Sequence, residues 1–184
     1  LPYLLLEALG LLTEEGSKVY VTDGGHIDNL GVRQLLKRRC DLIIVSDAEA
    51  DPAMNFSALI DVQRFARIDM DIRIELEWQP IRDAALDRKA ALTRGTATSA
   101  SPGVRSVLGT IHYPSSAGQP AETGKLLYIK AAANGRERDY VRDYERRFPA
   151  FPHESTSDQF FTEEQFEAYR SLGYQAAAEA SALL

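Results

Sequence analysis

The sequence predicts an α/β protein with a mainly parallel central sheet flanked by helices. The first observation is a β-branched and aromatic run, Val19–Thr22, which has the composition of a buried strand. The second is a continuous apolar run, Leu42–Ser46, of the kind found in sheets that are covered on both faces. One helix-length segment separates the two runs, which is compatible with a right-handed parallel crossover. The 184 residues fit one domain with a sizeable core.

The other elements are predicted from hydrophobic spacing along the chain. Strands, recognised by apolar runs or by alternation, are predicted at residues 18–22, 42–46, 71–78, 104–113 and 125–131. Helices, recognised by apolar residues three and four apart, are predicted at residues 3–12, 30–39, 56–68, 138–148 and from 163 onward. The segment 93–103 is rich in Thr, Ser, Ala and Gly without periodicity, so we expect a mobile surface loop there.

Capping residues indicate where three of these helices begin. Asp28 or Asn29 is predicted to cap the helix near residue 30, and Asn55 the helix that starts one residue later. Thr162 and Gln165 fit a capping box that opens the last helix. The apolar side chains predicted to be buried in and before this last helix are Phe160, Phe161, Phe166, Tyr169 and Leu172.

Charge and cysteine content exclude some classes of protein. The net charge is −6, from 21 basic and 27 acidic residues, which argues against a nucleic-acid binder. The single cysteine, Cys40, excludes an internal disulfide. No signal peptide is visible, and no apolar run reaches the ~20 residues that cross a bilayer. The arginines of residues 136–147 are predicted to form a solvated helix face, with contact to anionic lipid head groups as the alternative. Their predicted acidic partners are Glu137, Asp139, Asp143 and Glu145.

A short acidic and glycine-rich turn carries the residues most indicative of chemistry. Asp23 follows the predicted strand 18–22, and Gly24 and Gly25 come directly after it. Glycine permits a turn that a side chain would hinder, and α/β proteins bind ligands at the carboxyl edge of the sheet. A carboxylate in that place can act as a general base toward a serine hydroxyl. The simpler alternative is that Asp23 only closes a turn at the end of a strand.

The Asp23–Gly25 turn, Asn29–Gly31 and the strand Leu42–Ala48 together resemble the Asp-Gly-Gly block of the patatin-like phospholipases. Residues 151–161 are similar to a segment of large bacterial members of that family. The resemblance implies a patatin-like fold and a serine–aspartate dyad that hydrolyses acyl esters of lipids, with no cofactor and no metal. The family's Gly-x-Ser-x-Gly turn and oxyanion loop do not occur in this chain. We therefore expect the C-terminal part of a larger catalytic domain, inactive alone.

The resemblance also implies roles for individual residues and partners. Asp23 would be the catalytic base, and Gly24, Gly25, His26 and Asn29 would contact substrate or support that base. His26 suggests a Ser-His-Asp triad, but the family assigns it no such role. The expected partners are a lipid or acyl-ester substrate, the upstream part of the parent chain and a membrane surface. The parent protein is expected to be cytoplasmic or membrane-associated.

Two other functions are compatible with these residues. Hard cations such as Mg²⁺ prefer several carboxylate oxygens, so a metal-dependent phosphohydrolase is one alternative, although no established ligand spacing is met. The acidic residues at or just after predicted strand ends are Asp23, Asp28, Asp47, Glu49 and Asp51. The other alternative is a non-catalytic interaction module that keeps the turn for structural reasons.

The segment from His153 to Asp158 contains the side chains of a hydrolase site close together in sequence. His153, Ser155, Ser157 and Asp158 are all within six residues. Members of a catalytic triad meet in space from distant segments, so proximity in sequence is no evidence for one. A packing or capping role is predicted for this segment.

Overall fold

A computed structural model has helices packed against a four-stranded mixed sheet. It describes residues 5–6, 9–11, 24–96, 102–116, 118–155 and 157–184, and at residue 26 the backbone only. The α/β class predicted from the sequence is confirmed. The predicted strand 18–22, half of the predicted helix 3–12 and residues 97–101 of the predicted loop lie outside the described residues.

The sheet has one parallel pair of strands. Its strands are β1 (Leu42–Asp47), β2 (Arg73–Glu75), β3 (Ser106–Tyr113) and β4 (Glu122–Lys130), in the spatial order β1-β4-β3-β2. β1 pairs parallel with β4, whereas β4 with β3 and β3 with β2 are antiparallel. The prediction of a mainly parallel sheet is therefore wrong for the described strands. Residues 114–121 join β3 to β4, and so short a connection without a helix returns the chain in the antiparallel direction.

Six helices lie in the described ranges. They are α1 (Gly25–Asp28), α2 (Arg33–Lys37), α3 (Ser57–Met70), α4 (Gln79–Thr93), α5 (Asp139–Arg147) and α6 (Glu163–Ser181). The predicted helix 30–39 is shorter and appears as α2. The sequence missed α4, although Pro80 in its first turn is a start signal, because buried Arg88 interrupts its apolar stripe. The predicted strand 71–78 is reduced to β2, since Trp78 is the N-cap of α4.

The main core lies between one face of the sheet and the helices α2, α3 and α4. Phe56 is fully buried there, with its ring centroid 4.7 Å from that of Trp78 and 6.1 Å from that of Tyr128. Strand side chains alternate between faces, so alternate residues of β1 enter this core. The other face of β1 exposes Leu42 and Ile44.

A smaller core joins α5 to α6. It consists of Val141, Tyr144, Phe151, Ala168 and Leu172. α6 also contacts β3 and β4, so it covers a second part of the sheet. In the part of the chain that the structure describes, no helix combines the length and apolarity needed to cross a membrane.

The start of α6 confirms its predicted cap, and of its predicted buried face it confirms Leu172, with Tyr169 partly buried. Thr162 Oγ accepts a hydrogen bond from the Gln165 N–H at 3.1 Å. The buried stripe of the helix consists of residues four apart, at 168, 172, 176 and 180. Phe166 lies off this stripe and is 61% exposed, while Phe160 and Phe161, also predicted to be buried, precede the helix and are 91% and 55% exposed.

Candidate functional site

The turn with the predicted catalytic base falls only partly within the described residues. Asp23 lies outside them, as does the side chain of His26. Gly24 has φ −58° and ψ −23°, which any residue adopts, and no described atom lies within 4 Å of a Cβ built there. The predicted need for glycine therefore does not hold at Gly24. Glycine is required instead at Gly31, where no such need was predicted, because its φ of +68° lies in the left-handed region.

Asp28 caps the helix after this turn, and Asn29 does not. Asp28 Oδ2 accepts a hydrogen bond at 2.6 Å from the N–H of Arg33, the first residue of α2. Asn29 is exposed and lies where α1 ends. Of the two predicted caps, the aspartate therefore satisfies a free helix amide.

A cavity of about 380 Å³ lies beside the glycine turn, between α1 and the first half of α3. The residues that define its wall are Gly25, Asp28, Asn29, Glu49, Asp61 and Phe65. On two of them, Asp28 Oδ1 and Glu49 Oε2 are buried and accept no hydrogen bond in the described structure. A buried acceptor without a partner is costly, so both oxygens are available to a donor on a bound molecule.

The carboxyl ends of β1 and β4 carry a buried ionic cluster. Asp47 and Lys130 end these strands at paired positions, and Lys130 Nζ lies 3.0 Å from Asp47 Oδ1. The Tyr128 hydroxyl donates to Asp47 Oδ2. All three residues are at most 1% exposed. Burial, together with the adjacent Asp47 carboxylate, raises the pKa of Tyr128 far above its ordinary value, so the phenol remains a donor.

Two of the acidic residues that suggested a metal site, Asp47 and Asp51, are held by other protein groups. Asp47 Oδ1 accepts from the N–H of Glu49 at 2.9 Å, and Asp51 accepts from the N–H of Asn55 at 2.9 Å and of Phe56 at 2.7 Å. Asp51, and not the predicted Asn55, therefore supplies the acceptor where α3 begins. Among the described residues, no group of three or more His, Cys, Asp or Glu side chains is placed to hold a metal ion.

His153 connects the C-terminal half of the chain to the loop after β1. Its Nδ1 accepts a hydrogen bond from the N–H of Asp51 at 3.3 Å. Burial, and then the nearby charge of Lys130, lower the pKa of His153 below its ordinary 6.5. The imidazole is therefore neutral at pH 7 and acts as an acceptor.

The serines after His153 form local turn contacts. The hydroxyls of Ser155 and Ser157 lie 2.8 Å apart and share a hydrogen bond. Asp158 Oδ1 accepts from the N–H of Phe160 at 3.1 Å. These are turn and capping contacts, the role that the sequence predicted for the segment.

Stability should fall as the pH drops below about 6.5, and His153 should account for part of that fall. Its pKa is lower in the folded state, so between 6.5 and that lower value the unfolded chain binds a proton that the folded chain does not. Above 6.5 the residue is neutral in both states and has no effect. Urea unfolding at several pH values measures this effect. The free energy of unfolding should decline less steeply with falling pH in His153→Asn than in the wild type, because the asparagine amide oxygen can replace Nδ1 as acceptor without binding a proton. Identical slopes for the two proteins would contradict the assignment.

Two buried arginines, Arg88 and Arg105, form ion pairs that were not predicted, because their partners come from distant elements. Glu137 and Glu145 were predicted to be exposed partners of the α5 arginines, and this is wrong. Arg105 Nη1 lies 3.0 Å from Glu137 Oε1, and its Nη2 lies 2.9 Å from Glu179 Oε1. Arg88 pairs with both carboxylate oxygens of Glu145. The arginines of α5 itself do pair with acidic neighbours on the solvent face, as predicted.

The sequence contained one signal for the buried cluster that the prediction did not use. Asp47 and Lys130 each stand at the end of an apolar strand-length run, and opposite charges in that position suit a paired strand end. Comparison with protein-family models, curated proteins and solved structures finds no match to this chain.

Proposed function

We propose that this chain is the C-terminal part of a patatin-like serine lipid acyl hydrolase, in which Asp23 is the catalytic base. The observation that carries the proposal is the Asp23–Gly25 turn, followed by Asn29–Gly31 and the apolar strand Leu42–Ala48. This combination of a strand-end carboxylate, a glycine turn and a following strand is the Asp-Gly-Gly block of that family.

The proposed chemistry is acyl transfer through a serine. The serine Oγ attacks the ester carbonyl carbon while the Asp23 carboxylate takes its proton, and that proton then passes to the departing alcohol. Water hydrolyses the acyl-serine by the same route, releasing the carboxylic acid. An aspartate is a weak base, so hydrogen-bond donors to the developing oxyanion must lower much of the barrier. Both the serine and those donors come from the upstream part of the parent chain.

The surroundings of the turn support this proposal. The cavity between α1 and α3 begins one residue after Gly24 and provides room for part of a substrate. Two buried carboxylate oxygens on its lining residues are free to accept hydrogen bonds. A head group with N–H or O–H donors would satisfy them.

The unpaired edge of β1 and its exposed aliphatic side chains are consistent with a partner segment that covers them. In the described structure β1 pairs on one edge, with β4, and Leu42 and Ile44 remain exposed. Exposed aliphatic residues on an unpaired edge strand are normally covered. We assign that role to the upstream part of the parent protein, which would be cytoplasmic or bound to a membrane surface where its lipid substrate resides.

A fluorophosphonate probe applied to the full-length parent protein tests the proposal. We expect labelling of one serine upstream of Leu1, with labelling and ester hydrolysis both reduced at least about 10²-fold by Asp23→Asn. Asp143→Asn, which removes an exposed carboxylate on α5, is the matched control and should label normally. The 184-residue chain alone should show no ester turnover.

Three results would contradict the proposal. The first is full labelling of the Asp23→Asn protein. The second is no labelling of a folded parent, which would favour a non-catalytic module. The third is phosphohydrolase activity that chelation abolishes and Mg²⁺ restores.

A further inference from the structure

A second cavity, of about 220 Å³, lies between α4 and the segment that follows α5. It shares no lining residue with the cavity beside the glycine turn. Most of its wall is apolar, and the side chains that contribute are Met54, Leu86, Leu92, Ala132, Phe151 and Pro152. They come from the loop before α3, from α4, from the residues after β4 and from the segment after α5. The cavity is therefore built by four separate parts of the chain.

Its size suits a small apolar group. An apolar protein cavity of about 150 Å³ stays dry and accommodates a benzene molecule. A cavity about half as large again accepts a medium-length alkyl chain. Because the wall is mostly apolar, such a chain would gain the usual free energy of leaving water.

The polar groups of the wall favour an anionic head group. Arg88 and Glu145 neutralise each other as a buried pair. Of the two remaining ionised side chains of the wall, Arg146 is paired with Asp143, whereas Lys89 forms no ion pair among the described residues. Lys89 Nζ donates to the Pro52 carbonyl at 3.2 Å, and both cationic side chains reach solvent. This local positive charge stands out in a chain whose net charge is −6.

We propose that this cavity binds a medium-chain carboxylate. The alkyl chain lies against Leu86, Leu92 and Phe151, and the carboxylate lies at the rim beside Lys89. A carboxylate is ionised at pH 7 and forms a charge-assisted hydrogen bond with the Lys89 ammonium. Binding here needs neither Asp23 nor a serine, so the site is independent of the proposed hydrolase activity.

Calorimetric titration of the purified chain with octanoate, octanol and octylammonium, below their micelle-forming concentrations, tests this site. We expect one saturable octanoate site and about three- to tenfold weaker binding of octanol, because the alcohol loses the charge interaction. Octylammonium should bind least. Lys89→Gln should reduce octanoate affinity to that of octanol without changing octanol binding. Lys125→Gln, an exposed lysine on β4, is the matched control and should change neither.

The position of the site is tested separately. Leu86→Trp fills the cavity from a half-buried position and should abolish binding of all three compounds. If that variant fails to fold, octanoate-induced amide shifts in the wild-type chain decide, and we expect them at Ala132, Ala133 and Phe151. The proposal is overturned if octanoate shows no saturable binding, if the three compounds bind equally, or if the shifts lie elsewhere. Octanoate binding should survive Asp23→Asn, so either proposal can fail without the other.

Discussion

Replacing Lys130 with methionine is expected to lower the free energy of unfolding by about 3–5 kcal/mol. Methionine fills similar space but removes the ammonium that lies 3.0 Å from Asp47 Oδ1. Asp47 is 1% exposed, so its carboxylate would keep the hydrogen bond from Tyr128 but lose its counter-charge. A buried charge without a partner is far more costly than an exposed one, because water no longer solvates it.

A double variant separates this charge effect from packing. Asp47→Asn combined with Lys130→Met removes both charges, so part of the lost stability should return. Arg170→Met removes one partner of the exposed Arg170–Glu167 pair and is the matched control, with little change expected. Urea unfolding followed by circular dichroism measures all three. A loss for Lys130→Met no larger than the control, or strictly additive losses in the double variant, would show that the buried pair does not stabilise the fold.

Replacing Arg105 with methionine should destabilise the protein by a similar amount, about 3–5 kcal/mol. The Arg105 side chain is fully buried and donates to Glu137, Glu179, Asn134 and the Ala132 carbonyl. Its loss leaves the buried Glu137 carboxylate with hydrogen bonds from two backbone amides and without its closest cation. Hydrogen bonds from Arg105 also lower the pKa of Glu179, so the loss should matter most where that carboxylate is ionised.

The location of the Arg105 effect distinguishes it from general destabilisation. Glu179 lies in the last turn of α6, so the arginine attaches that end of the helix to the start of β3. Amide hydrogen exchange should therefore accelerate most in the second half of α6. Glu137→Gln added to Arg105→Met should recover part of the stability. Uniform acceleration across the chain, or no recovery in the double variant, would contradict this role.

The sequence correctly predicted those helices and strands whose burial on one or two faces produces a regular pattern of apolar residues. β1, β3, β4, α3, α5 and the Thr162 cap of α6 were found because apolar runs, periodicity and capping residues are local properties. The relative direction of the strands was not found, because it depends on which strands pair. α4 was not found because Arg88 occupies a buried position that is normally apolar, and this interrupts the apolar spacing that indicates a helix.

The candidate site likewise has features that the sequence predicted and features that it did not. The acidic residues after β1 were recognised from the sequence as a group, but their partners were not. Asp47 is neutralised by Lys130, which is 83 residues further along the chain, and the Asp51 N–H donates to His153, 102 residues away. Residues close together in sequence do not indicate such partners, so the metal-site alternative included Asp47 and Asp51, whose carboxylates already bind other protein groups.

By itself, the sequence determined the α/β class, most strand and helix positions and the resemblance that assigns Asp23 its proposed role. Those properties depend on residues adjacent in the chain or one helical turn apart. The tertiary structure decided the mixed sheet, the buried pairs of Lys130, Arg105 and Arg88, and the two cavities. These features arise only when distant segments meet. A charge that is removed from water must be neutralised by whichever group the fold places beside it.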